Sequence, residues 1–197
     1  IKQRIKSVKN TAQITKAMEV VSATKMRKSQ EFAIHARSFA VASLEMLKNL
    51  LTRTPELPPL LKAREVKKSL LLVITSDKGL AGAFNANIIK KAENWIKKRV
   101  EDNIPFTVLT VGKKAKEYFS TLAGRNYSIY KSFWGFGDYS TLGETLPVAE
   151  ALLEGFGKEE FDEVYAVYTH FRTTLFQETE IKKILPAAKD NIEEIVK

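Results

Sequence analysis

The sequence predicts an α/β protein in which a long projecting N-terminal helix precedes an open α/β domain with a mostly parallel sheet. Three observations predict it. Residues 1 to 54 contain neither Gly nor Pro; Leu57-Pro58-Pro59-Leu60 then interrupts the chain; and from Ser69 onward strand-like apolar runs alternate with helix-like segments.

The breaker-free stretch reads as one helix. About 50 residues at a rise of 1.5 Å span roughly 75 Å, against an average helix of ~11 to 12 residues. Such a helix cannot lie on a small globule and must project from it. At ~100° per residue, Ile1, Ile5, Val8 and Ala12 share one face, and Ile14, Met18, Val21, Phe32, Ala36, Phe39, Leu47 and Leu50 share another, more than ~100° away. Two stripes call for two neighbours. Spacings of four and three resemble a coiled-coil seam, which Lys25 and Lys28 interrupt, so the helix is expected to form half of a loose coiled coil with a further contact surface.

Paired prolines cannot continue a helix and favour extended backbone, so residues 55–65 are the linker. The α/β domain is expected over 66–186. Ser69 to Thr75 is nearly all apolar, as a central parallel strand buried on both faces requires. A helix follows from Ala86 to Val100, a strand from Phe106 to Val111 and a helix from Lys113 to Leu122. Next come a strand from Tyr127 to Phe133 and a helix from Leu142 to Phe156. Strands at Glu163 to Phe171 and Gln177 to Leu185 complete a Rossmann-like alternation. Residues 187–197, with Asp190-Asn191-Ile192-Glu193-Glu194-Ile195-Val196, read as a helix beginning. With Ile1 at the start, both termini read as cut from a longer chain.

Composition narrows the function classes. There is no cysteine, hence no disulfide framework or thiolate metal site, and a reducing compartment is expected. No apolar run reaches the ~20 residues of a membrane span. The formal charge of +9 is unevenly placed: residues 1–38 carry nine Lys/Arg against Glu19 and Glu31, so +7 of it lies on the long helix. A basic segment beside a near-neutral globule suggests an acidic partner. Nucleic acid is one such partner, although no aromatic stacking residue lies between Ile1 and Gln30.

A nucleotide-dependent α/β enzyme is the other alternative, and its place would be the loop from Thr75 to Asn85, where an open α/β sheet binds ligands. Gly79 and Gly82 have the spacing G-x-x-G, which is neither the dinucleotide fingerprint nor a phosphate loop. They are expected to permit a tight turn and close helix packing, with Asp77 or Asn85 satisfying amides near the helix start. His35 and His170 have no second ligand at metal-binding spacing, and the helix serines have no base partner, so no catalytic, metal or cofactor site is assigned. Tyr130, Phe133, Trp134, Phe136 and Tyr139 form an aromatic cluster that reads as core and turn. Along Ile14 to Lys28, small residues Ala17, Ser22, Ala23 and Thr24 alternate with Lys16, Lys25, Arg27 and Lys28, as in a shaft passing through a collar.

These residues carry a resemblance. Ile5 to Val21, continuing through Ala23-Thr24-Lys25-Met26-Arg27, closely resembles the N-terminal helix of the gamma subunit of F-type ATP synthase, S-V-x-N-T-x-K-I-T-K-A-M-x-M-V. Ser76 to Asn85 is similar to the family loop S-D-[RK]-G-L-C-G-G-[FL]-N, with Ala81 and Ala83 in place of Cys and Gly. Gln177 to Pro186 resembles the late strand ending in L-L-P. No counterpart of the family's C-terminal helix, with its A-R-M-x-A-M pattern, is present, nor is the inserted cysteine pair of the chloroplast form, so a bacterial type fits best.

The resemblance implies a non-catalytic central-stalk rotor without a cofactor. It would transmit torque between the proton-driven ring in the membrane and the catalytic subunits. Its partners would be the alpha and beta subunits, the epsilon subunit and the membrane c-ring. It would sit peripherally on the cytoplasmic face of the bacterial inner membrane. The matching contact residues are Ile14, Thr15, Lys16, Met18, Glu19, Val21, Lys25, Met26, Arg27 and Lys28, and Asp77, Gly79, Gly82 and Asn85 form a structural loop.

Overall fold

The computed structural model describes residues 1–53, 57–122, 124, 127–137 and 141–187. Expectations for Pro55, for Tyr139 in the aromatic cluster and for the helix beginning near Asp190 lie outside the described residues, as does the side chain of Leu50. Helix α1 runs from Lys2 to Arg53, and a short 3₁₀ turn follows at Pro59–Leu61. Then come β1 (Ser69–Ile74), α2 (Phe84–Glu101), β2 (Phe106–Val111), α3 (Lys113–Leu122), β3 (Ser128–Phe133), α4 (Leu142–Gly157), β4 (Glu163–Phe171) and β5 (Gln177–Leu185).

The five strands form one sheet in the order β3-β2-β1-β4-β5. The first four are parallel and β5 runs antiparallel to β4, so the sheet is mixed but mostly parallel. The central position of β1 fits its sequence, because the apolar run Leu70 to Ile74 suits a strand covered on both faces. Its side chains alternate between two cores, as strand geometry requires. Leu70 and Leu72 pack with Ala151, Leu152 and Phe156 of α4, whereas Leu71 and Val73 pack with Ile88 and Ala92 of α2 and with Ala115 and Phe119 of α3. Each of these large side chains contributes roughly 1.5–3 kcal/mol through removal from water.

The end of β2 shows why a particular glycine is needed. Gly112 has φ +93°, and a Cβ there would meet the Thr75 carbonyl carbon at 2.7 Å and the Thr75 hydroxyl at 2.8 Å. Only glycine lets β2 turn into α3 this close to the end of β1.

The sheet also holds a buried charge cluster at the start of β4. Glu163 has 3% of its side chain exposed. It lies 2.9 Å from Arg99 Nη2 and 2.8 Å from Lys183 Nζ and accepts from the Ser69 hydroxyl at 2.7 Å. Burial alone would raise its pKa. The bonds from Lys183 and Ser69 and the charge of Arg99 outweigh that and hold the carboxyl below its usual range.

Candidate interaction surface of the long helix

Helix α1, ~78 Å long at 1.5 Å per residue, has no buried residue among those whose side chains are described. Ile14, Met18 and Val21 are 62%, 49% and 53% exposed, a level that apolar side chains on a finished surface seldom share along one stripe. The helical geometry sorts the candidate contact residues. Ile14, Met18, Val21, Lys25 and Lys28 fall within ~40° of one line along the helix; Thr15, Glu19 and Met26 lie ~100–140° around from it, and Lys16 and Arg27 ~200–220°. The ten residues therefore surround the helix rather than line one face of it.

Local chemistry modifies several of them. Lys16 Nζ is 3.0 Å from Glu19 Oε2, and Arg27 Nε is 3.2 Å from Glu31 Oε1. Both acids of residues 1–38 thus pair within the helix, with two of the cations expected to face a partner. These pairs are exposed and each contributes ~0–1 kcal/mol, so a partner carboxylate can displace them readily. The Thr15 hydroxyl donates to the Thr11 carbonyl at 2.9 Å and the Thr24 hydroxyl to the Val20 carbonyl at 3.0 Å, which turns their polar atoms back onto the helix.

The second group of candidate residues lies at the carboxyl end of β1, and its roles differ from those expected. Asp77 does not serve α2, whose N-cap Ala83 has no side-chain cap. Its Oδ1 accepts from Lys113 N at 2.6 Å and its Oδ2 from Gly135 N at 2.7 Å, tying the β1 loop to the start of α3 and to the turn after β3. The Thr75 hydroxyl accepts from Ala115 N at 2.8 Å, and the Ser76 carbonyl from Lys114 N at 3.2 Å. The first amides of α3, which could otherwise hold an anion, are therefore occupied by the protein's own oxygens. Asn85 turns back to accept from Ser76 N at 3.1 Å. Sequence spacing placed these groups near the following helix because the capping partners of Asp77 are 36 and 58 residues away, and local pattern carries no sign of them.

The two loop glycines also separate. Gly82 has φ +56° and needs glycine for its backbone; Gly79 is outside that region, and a Cβ on either would meet nothing within 4 Å. Close helix packing is therefore not their role. Beside the loop, Ile74, Val111, Phe136, Leu142, Leu146 and Val148 line a cavity of about 590 Å³ between the sheet and α4. Of the aromatic cluster, Phe133 packs against the α4 core, Tyr130 meets Phe161 edge-on at 5.5 Å, and Trp134 lies beneath Lys116 Nζ at 3.1 Å.

Among the described residues there is no group of His, Asp and Glu side chains able to hold a metal ion, and no helix is long and apolar enough to cross a membrane.

The chain matches the ATP synthase family over residues 1–197. The ATP synthase gamma chain of Geobacter metallireducens is 38% identical over 195 residues, covering 98% of this chain and 67% of the relative. The chain belongs to the ATP synthase gamma-chain family. The gamma chain of Trichlorobacter lovleyi is likewise 38% identical, covering 94% of this chain and 64% of the relative. The protein thus spans about 64% of the length of such gamma chains. Its fold is similar to that of a chain in the central stalk and c-ring structure of Tetrahymena thermophila mitochondrial ATP synthase, with a TM-score of 0.64 at 24% identity, over 88% of this chain and 72% of that one. Nothing in these comparisons supports a nucleotide-dependent enzyme or a nucleic-acid-binding protein. The gamma-chain family accounts for an α/β sheet joined to a long exposed helix.

Proposed function

We propose that this chain is the non-catalytic rotor of an F-type ATP synthase, carrying torque between a proton-driven membrane ring and the catalytic subunits. The observation that carries this reading is the ~78 Å helix with exposed apolar side chains around its surface, in a gamma-chain relative. On this reading residues 1–54 form half of the rotor coiled coil, 55–65 the linker, 66–186 the α/β domain, and 187–197 the connection towards the second helix. Ile14, Thr15, Lys16, Met18, Glu19, Val21, Lys25, Met26, Arg27 and Lys28 turn against the alpha and beta subunits. The α/β domain sits beside the epsilon subunit on the c-ring, peripheral to the cytoplasmic face of a bacterial inner membrane.

The physical requirement on such a surface is shallow wells. Exposed pairs such as Lys16–Glu19 exchange partners at a cost of ~0–1 kcal/mol, whereas a buried pair would hold the rotor in one position by several kcal/mol. Met18 and Met26 suit a sliding contact because the thioether adapts to changing neighbours.

The test is Met18→Lys in the full-length chain, reconstituted with the remaining subunits in vesicles. The expected result is intact assembly with proton pumping per ATP hydrolysed reduced at least twofold. Unchanged coupling would remove the contact role of this face.

A further inference from the structure

Between α1 and β1, residues 57–68 contain one 3₁₀ turn, Pro59–Leu61, and no other helix or strand, yet they are fastened to the domain at several points. Leu61 is buried, with 7% exposed. The Leu60 carbonyl accepts from Ala187 N at 2.8 Å. Further on, Arg64 closes a clasp on the turn between α4 and β4. Its Nε lies 2.6 Å from Asp162 Oδ1, its Nη2 donates to the Phe156 carbonyl at 3.0 Å and to the Phe161 carbonyl at 2.5 Å, and its guanidinium stacks 4.3 Å from the centre of the Phe156 ring. Asp162 reciprocates, accepting from Lys67 N at 2.8 Å and Lys68 N at 3.0 Å, while its own amide donates to the Lys68 carbonyl at 2.8 Å.

We infer that the Arg64 clasp is the fastening through which torque passes between α1 and the α/β domain. The inference rests on the rotor reading and names the residue that makes the connection stiff. A free tether of fifteen residues, 54 to 68, would have a root-mean-square span of roughly 20 Å and would wind up before the domain followed the helix. A planar guanidinium with a fixed fork of donors removes that slack. It binds one carboxylate and two carbonyls at once, and the last turn of α4 presents the negative end of its dipole to it. The clasp rests on the outside of the core through the Phe156 ring but contributes no strand pairing, and β1 is secured by its ladders to β2 and β4. Loosening the clasp therefore frees the linker without unfolding the domain, and this separates a positioning role from a general stabilising one.

The experiment uses the full-length chain with Arg64→Met, and with Arg64→Lys as a milder variant that keeps the charge but not the fork. Amide hydrogen exchange is read first. Exchange of the Leu61, Lys67 and Lys68 amides should rise at least tenfold while the β1 and β2 amides stay within twofold of the parent. Each variant is then reconstituted into the complete ATP synthase in vesicles. ATP hydrolysis should stay within twofold, while pumping per ATP falls at least threefold against an imposed proton gradient and much less without one, with Arg64→Lys intermediate. Exchange rising equally through the whole sheet would overturn the inference, as would normal pumping against the gradient with a loosened linker. If Arg64→Met does not assemble, Arg64→Lys decides by the same two readouts. Failure of the parent chain itself to support pumping would instead sink the rotor reading.

Discussion

A Cβ added to Gly112 would stand 2.7 Å from the carbonyl carbon of Thr75, so the turn after β2 passes in backbone contact with the end of β1. Gly112→Ala combines this overlap with a left-handed φ of +93°; the Thr75 carbonyl is backbone, and the Thr75 hydroxyl is held by the Ala115 amide. Strain of this kind and overpacking each cost about 1–3 kcal/mol. The variant is expected to lose about 2–6 kcal/mol, read as a shift of the denaturant midpoint at unchanged slope.

The loop glycines offer an internal comparison. Gly79→Ala meets open space with an ordinary φ, so its unfolding free energy should stay within about 0.5 kcal/mol of the parent. Gly82→Ala places a side chain at φ +56° and should cost about 1–2 kcal/mol. Equal effects in chemical denaturation would show that the turn rearranges when either glycine is replaced.

Glu163→Gln keeps the shape of the side chain but leaves Arg99 and Lys183 without their shared countercharge. Breaking a buried ion pair from one side typically costs about 3–5 kcal/mol. Replacing Glu163, Arg99 and Lys183 together by apolar residues of similar volume should cost less than Glu163→Gln alone. Thermal unfolding of the three-fold and single variants side by side checks this.

Stability should depend on pH at both extremes. Burial would raise Asp162, but the Lys67 and Lys68 amides and Arg64 hold it below its usual value of 3.8, and Glu163 is held below 4.5. Since the folded state binds these protons less tightly than the unfolded state, their contribution is complete above about pH 5 and declines as acid protonates the folded carboxylates below pH 4. At the alkaline end, a hydrogen bond to Glu93 raises Tyr118 to about 12, and burial followed by Glu160 raises Tyr130 to about 12. That contribution is complete below pH 10 and is lost as pH rises towards 12. Urea midpoints measured across pH should show a plateau with losses at both ends, and Tyr118→Phe should flatten the alkaline one.

The strands and helices were legible because their signals are local. Leu70 to Ile74 announced a central strand by being apolar throughout, and the breaker-free run to Arg53 announced α1 by its length. The ends of α2 shifted outward because Phe84 and Glu101 carry no local stop signal. The roles of Asp77 and Arg64 were not legible. Asp77 is paired across 36 and 58 residues, and Arg64 across more than 90, so their functions exist only once the sheet order has brought those segments together. In α1, periodicity located the stripes, and the i,i+3 and i,i+4 spacings made Lys16–Glu19 and Arg27–Glu31 possible pairs, but whether they close depends on which rotamers the side chains adopt.

The antiparallel direction of β5 has one more outcome. A parallel fifth strand of nine residues would have delivered the chain to the far end of the sheet, roughly 30 Å away. Instead Ala187 comes back to within a hydrogen bond of Leu60, so the α/β domain is topologically a graft with its two attachment points side by side. Insertions in the loops at the opposite end of the sheet can accordingly enlarge or reshape this module while leaving both attachment points where they are.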